Sequence, residues 1–516
     1  MDKQRPIPAW PIYFGLETEF GIAVRENAEI DVVEESIHLV RAAAQLGSPN
    51  LWDYTREDPH RDARGFRAKE LRQDGDEANF FSQDRQRPYS FEEIKSDFVL
   101  RNGARFYNDH THPEYSTPEC STLLELVAQD KAGERILEEC ARAASRKRNH
   151  TVCLYKNNSD FAGHSYGCHE NYLIPRMIPW DRIVEGMMAF LVTRQIFGGA
   201  GKLGWEKEDQ GMVGGFQISQ RADFFTELVG IDTMNRRPLI NTRDEPHANP
   251  KLYRRFHVIV GDSNLSEYAT WLKVGTTALV LEALQYDRVP RRFFLTDPLY
   301  AHRSISRDQT TRWEVDLAHS GTTTAAQLQS DYADWVGRYV DLEHPEKRAV
   351  WKSWKETVEL LQTGPEALRD RLDWVAKRSL LETFREEQKL SWDDPWLQSV
   401  DLEYHLVDRE RGLYYALESG GEISRISREE DIYRAIQQPP NASRAYFRGK
   451  CIQKFARDLV NVQWDYIAFR WKGQTYRVEL SSAFPGVDLE RFCEVIDRAQ
   501  LVSDMIEELN LEPIGG

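Results

Sequence analysis

Cysteine is scarce and unpatterned in this sequence. Cys120, Cys140, Cys153, Cys168, Cys451 and Cys493 show no C-x-x-C spacing. That argues against a zinc site or a disulfide framework, and for the buried, reduced thiols of a cytoplasmic protein. Long apolar runs are missing too. Stretches such as Met187–Val192 are far too short to cross a bilayer, and Met1–Trp10 has no basic segment followed by an apolar one, so neither a membrane span nor a signal peptide is expected. Positive charge is in deficit, with 67 Lys and Arg against 83 Asp and Glu and a formal net charge of -16. This argues against general nucleic-acid binding, though it leaves room for a local basic groove.

Two common catalytic signatures are also lacking. Gly198-Gly199-Ala200-Gly201-Lys202 invites comparison with a phosphate loop, but the earlier glycine is missing and Leu203 stands where Ser or Thr would meet magnesium. There is no G-x-S-x-G elbow and no deducible Cys–His pair. Nucleotide binding therefore requires another architecture.

What the sequence does have is acidic side chains at strand spacing. In Tyr13–Gly21, alternation sends Glu17 and Glu19 to one face and Phe14, Leu16, Thr18 and Phe20 to the other. In Ala104–Asp109 the same period aligns Arg105, Tyr107 and Asp109. Paired carboxylates on a largely apolar strand are costly to bury unless a cation holds them, and converging oxygens suit Mg²⁺. A solvated face is the commoner explanation of one such pair. The repeat on a second strand, followed by His110, His112, Glu114 and Glu119, favours a metal–nucleotide site.

Other polar clusters are less decisive alone. His169 and Glu170 precede an apolar strand and suit either a structural role or contact with metal or substrate. In Asn241–His247, Arg243 could simply pair with Asp244 or Glu245. Arg221, Arg254 and Arg255 read as solvated charge or as part of a basic groove for an acidic partner.

With 516 residues and 41% hydrophobic content, the chain suits a large catalytic domain, 1–436, and a small C-terminal domain, 437–516. A helix is expected around Val33–Leu46, and a mobile insertion over 53–97. Short strands are expected at Val152–Tyr155, Asn171–Ile174, Phe216–Ser219 and Phe256–Val260. A helix over Arg182–Phe197 would be capped by Asp181 and stopped by Gly198-Gly199. Asp331–Lys389 reads as helical with a break at Gly364-Pro365. Beyond Gln437–Pro440 come a helix around Phe447–Leu459, a hairpin turning at Lys472-Gly473, and a closing helix through Glu508. The fold class is α+β with a predominantly antiparallel sheet.

Taken together, Gly15–Gly21, Leu100–Arg105, His112–Tyr115, Tyr155–Asn158, Ser165–Leu173 and Ile240–His247 resemble the Pup ligase and Pup deamidase/depupylase family of the bacterial proteasome system. The resemblance implies a glutamine synthetase-like curved antiparallel sheet, flanked by helices, that cradles ATP and Mg²⁺ beside a small C-terminal α+β domain. It implies Glu17, Tyr107 and Glu114 as Mg²⁺ ligands, completed by Glu19 and by His169 or His247. Arg105, Thr117 and Trp464 would contact the nucleotide, together with Arg444 and Arg448, and Asp109 would be the catalytic aspartate. Partners would be a Pup-like modifier and pupylated proteins, with Arg221, Arg243, Arg254 and Arg255 receiving the acidic modifier.

The family holds ATP-dependent ligases and depupylases that hydrolyse the isopeptide bond or deamidate a C-terminal Gln. The 53–97 insertion, Asp109–Ser116, Phe216–Asp223 and Arg444–Gly449 resemble the depupylase. Glu17–Gly21 and His164–Cys168 read closer to the ligase, and Asn108 and Gly198 depart from both. The expectation is a depupylase, with ligation as the alternative and a non-catalytic modifier-binding protein as a rival of another class.

Overall fold

The computed structural model describes residues 13–26, 31–71, 88–109, 111–207, 211–319, 321–480 and 487–514. Its centre is a sheet of seven strands: β1 Phe14–Glu19, β2 Gly47–Pro49, β3 Phe98–Leu100, β4 Arg105–Asp109, β5 His112–Ser116, β6 Cys168–Pro175 and β7 Tyr253–Val258. The spatial order is β7-β6-β1-β5-β4-β3-β2, with every neighbouring pair antiparallel.

One face of this sheet is apolar and packs on helices. Phe14, Leu16, Tyr172 and Phe256 join a core with the helices Trp180–Thr193 and Glu267–Tyr286, while Phe106 and Tyr115 meet the long helix Leu123–Arg148. That helix starts on Thr122, whose side chain accepts from the Glu125 amide, and ends at Asn149 in the left-handed region. It lies so close to the sheet that a Cβ on Gly133 would stand 2.5 Å from the Tyr115 ring. Only glycine permits this approach.

Several element boundaries differ from the sequence expectation. Pro179, not Asp181, takes the cap position of Trp180–Thr193, and Asp181 sits in the first turn beside Arg288. The strand expected at Phe216–Ser219 starts earlier, spanning Gly211–Gln217, and pairs with Lys202–Lys207. Lys202 thus opens a hairpin strand, whereas a phosphate loop would open a helix there.

The C-terminal helix Arg444–Phe455 and strands Leu459–Val462, Tyr466–Trp471 and Gln474–Glu479 enclose a core of Phe447, Ile467, Phe469, Val478 and Met505. Val99 of β3 and Trp52 complete it, so this unit packs against the central sheet. Lys472 and Gly473 both carry positive φ, the geometry that a tight two-residue hairpin turn demands.

The flanks of the 53–97 insertion are built into the fold. Trp52 bridges to Val462 and Asp62 to Arg243, while Ser90 and Glu93 form a capping box on the short helix Phe91–Lys95. Residues 72–87, the centre of the segment expected to be mobile, lie outside the described residues. No helix among the described residues is long and apolar enough to cross a membrane.

Candidate active site

Register, more than any single motif, assembles the site. Glu19 lies opposite Glu114, which lies opposite Tyr107; Glu17 lies opposite Ser116 on one side and His169 on the other. Asn171 faces His257 across the next pair, and Asp109 faces His112 at the far end. Side chains of directly opposed residues share a sheet face. One polar face therefore gathers Glu17, Glu19, Tyr107, Asp109, Glu114, His169 and His257 along a cleft of about 440 Å³.

Two sets of ligand atoms converge there. Glu17, His169 and His257 form one, and Glu19, Asp109 and Glu114 the other, with ligand atoms in each set within 4.8 Å of one another. Burial alone would raise the Glu17 carboxyl. The hydrogen bond with His169 and the closeness of His257 and the Arg255 charge outweigh it and hold Glu17 well below the usual carboxylate range. Glu114 behaves oppositely: burial, reinforced by Asp109, Glu17 and Glu19, raises it well above that range. Such like-charge crowding is what a divalent cation relieves. The His257 ring, buried and beside Arg255, is depressed to about 3 and so is neutral, the form that binds metal. The donor set fits oxygen- and nitrogen-bound divalent cations.

Arg105 is built in firmly. It forms a fork with Asp97, with Nη2 2.6 Å from Oδ2 and Nε 3.1 Å from Oδ1, and Nη2 also donates to the Tyr54 hydroxyl at 2.9 Å. Its guanidinium lies 4.0 Å from the Trp52 ring and 3.8 Å from the Tyr107 ring. A smaller cavity of about 80 Å³ adjoins the cleft along Glu17, Thr117, His247 and Trp464.

The Pup-ligase protein model matches residues 13–468. The chain belongs to the Pup-ligase protein family. A depupylase from Acidothermus cellulolyticus is 43% identical, covering 89% of this chain and 91% of the relative. A Pup deamidase/depupylase from Mycobacterium tuberculosis is 39% identical over 97% and 99%. A Pup–protein ligase from Acidimicrobium ferrooxidans is 43% identical over 73% of this chain and 85% of the relative. Among solved structures, the complex of the prokaryotic ubiquitin-like protein Pup with its ligase PafA superposes with a TM-score of 0.76 at 29% identity, covering 96% and 94% of the two chains. PafA bound to ADP gives 0.70 at 32%, covering 84% and 95%. The fold is the α+β, glutamine synthetase-like cradle of this family.

Within this Pup-ligase family chain, the remaining expected site residues fall in different places. Thr117 borders the smaller cavity, and its hydroxyl accepts from the Leu16 amide at 3.0 Å. Trp464 lies between Trp52, 5.0 Å away, and the Arg448 guanidinium, 4.7 Å away. Arg444 and Arg448 both pair with Glu119, whose carboxyl they hold down to about 2 against the upward push of burial. His247 lines both cavities but belongs to neither ligand set. Arg221 and Arg243 line the cleft; Arg221 also donates to Ser165 Oγ at 3.1 Å.

Arg255 faces the cleft, 3.5 Å from Glu17. Arg254, expected to share a basic track with it, does not. Adjacent strand residues point to opposite faces, so Arg254 is buried on the helical side, where it donates to the Ile178 carbonyl at 3.1 Å and stands over Trp180.

His257, Lys95 and Glu57 are among the cleft residues that escaped the sequence reading. His257 was available from strand alternation, two residues beyond Arg255. Lys95 and Glu57 carried no local signal, because each reaches the cleft only through the packing of the insertion.

Proposed function

We propose that this chain is a depupylase and Pup deamidase. It would hydrolyse the isopeptide bond between a Pup-like modifier and a substrate lysine, and convert the modifier's C-terminal Gln to Glu, with ATP and Mg²⁺ as cofactors. The observation that carries this reading is Asp109 on the wall of a carboxylate-lined cleft whose rim includes Tyr54, Glu57 and Lys95 of the insertion. Alignment with depupylase-named relatives over 89–97% of the chain, against 72–76% for ligase-named ones, supports it.

In this reading Glu17, Glu19, Tyr107, Glu114, His169 and the added His257 hold the divalent cations, while Arg105 and Trp464 meet the nucleotide, consistent with the ADP-bound PafA neighbour. A cation bound there would supply positive charge to the amide oxygen, which becomes anionic when its carbon is attacked. Asp109 either attacks that carbon, forming an anhydride that water then hydrolyses, or draws a proton from water attacking the carbon. On both routes the C–N bond breaks and a proton from the consumed water goes to the nitrogen, which leaves as ammonia or lysine amine. The modifier is left with a free carboxylate. Arg221, Arg243 and Arg255 give a net-acidic chain a local positive lining for an acidic modifier. The reading includes a cytoplasmic location, supported by six thiols free of disulfides, and a functional link to the bacterial proteasome.

The likeness to PafA keeps ATP-dependent ligation as the second reading. A Pup-like peptide ending in Gln, and one ending in Glu with a lysine acceptor, separate the two. Ammonia release without matching ADP marks the hydrolase; ADP produced in step with conjugate marks the ligase and overturns the first reading.

A further inference from the structure

The segment that closes the insertion is fastened to the catalytic strand residue by residue. Asn108 Nδ2 donates to the Ile94 carbonyl at 3.1 Å, Lys95 Nζ donates to Asp109 Oδ1 at 2.7 Å, and Asp97 takes the Arg105 fork. Lys95 is the last residue of the helix Phe91–Lys95, which the Ser90–Glu93 capping box fixes at one end and Ser96, at φ 45°, at the other. Both members of the ion pair are largely shielded, with side chains 16% and 28% exposed. Asn108, one of the positions that depart from the family pattern, is itself fully buried and grips the helix that delivers the lysine.

We propose that Lys95 is a positioning residue for Asp109, setting the rotation of its carboxylate toward the scissile amide. This rests on the depupylase reading. The lysine faces Asp109, Glu57 and the Tyr107 ring, whose centre lies 5.6 Å away. Asp109 also faces Glu19, Glu114 and Arg243. Among those like charges a carboxylate would swing away from its neighbours, and a charge-assisted hydrogen bond to one oxygen fixes the torsion that decides where the other points. Two features separate this from an ordinary surface ion pair. The donor's backbone is held by a buried side chain from the residue next to the acceptor, and the pair lines the cleft itself.

The test compares wild type, Lys95→Met, Lys95→Arg and Asn108→Ala with saturating Mg²⁺ and ATP, using ammonia release from a Pup-like peptide ending in Gln. Lys95→Met is expected to lower kcat about 100-fold, as loss of alignment does, while KM stays within about 3-fold. Lys95→Arg, which keeps the charged hydrogen bond, should recover to within about 10-fold of wild type, with Asn108→Ala in between. A Lys95→Met enzyme with unchanged kcat, one altered only in KM, or one restored when Mg²⁺ is titrated well above the concentration that saturates wild type would overturn the proposal; the last would mean that the lysine supplies charge alone. Loss of kcat with a melting temperature matching wild type separates positioning from misfolding. If wild type forms conjugate instead of releasing ammonia, the depupylase reading fails and the same ratios are read on ligation. If it does neither, both fall.

Discussion

Nδ1 of His169 lies 3.3 Å from Oε2 of Glu17, across a strand pair whose register sets the two residues directly opposite. His257 approaches the same oxygen at 3.7 Å from the next strand. One carboxylate thus ties three strands together and, with two imidazole rings at hand, offers a cation a ready set of ligands. His257→Ala and Glu17→Gln should each weaken Mn²⁺ or Mg²⁺ binding about 10- to 100-fold, measured by calorimetric titration. Cation affinity equal to wild type in both would remove this set from the metal site.

Glu119 gives a pH prediction. Its carboxyl is held down to about 2, from an ordinary value of 4.5, by Arg448 and Arg444 acting against burial. A depressed carboxyl contributes stability that is full above the unfolded value and is lost as pH falls through that value toward the folded one. Acid unfolding should therefore show a loss between pH 4.5 and about 2. In Glu119→Gln that loss shrinks, while stability at pH 7 drops by about 3–5 kcal/mol because two buried guanidiniums lose their partner. Denaturant melts at pH 7 and pH 3.5 measure both effects.

Neighbouring arginines should behave differently. Arg255→Gln is expected to raise KM for the acidic modifier about 5-fold or more, since it removes positive charge from the cleft wall. Arg254→Gln should leave KM unchanged and lower the melting temperature instead, because its partners are Ile178 and Trp180 on the helical side. Equal KM effects from the two would contradict the strand alternation.

Glu57 stands 3.8 Å from Arg105, and its carboxyl is raised by burial. An anionic nucleotide that uses Arg105 must share it with this carboxylate. Glu57→Gln should tighten binding of a fluorescent ATP analogue about 3-fold, a modest factor because the carboxylate is partly solvated. Weaker binding would mean that Glu57 supports the site.

Much of the site was legible because strand alternation is local. Once Glu17 and Glu19, or Arg105, Tyr107 and Asp109, share a strand, they share a face whatever the rest of the chain does. The same rule, carried two residues past Arg255, yields His257. It also forbids Arg254 and Arg255 from lining one groove, and the fold confirms this by burying Arg254 while leaving Arg255 half-buried at the cleft.

The amino-acid order determined the strands, their polar faces, the antiparallel hairpin at Lys472-Gly473 and the family, because each depends on neighbours a few residues apart or on matched motifs. Tertiary structure decided which strands lie side by side, and so which carboxylates meet. It also decided that Lys95 reaches Asp109 and that Glu119 answers two C-terminal arginines. Those contacts span from 14 to 329 residues of chain. They form only when the burial of the helical face fixes the register of the sheet, a global packing condition that no short window of sequence encodes.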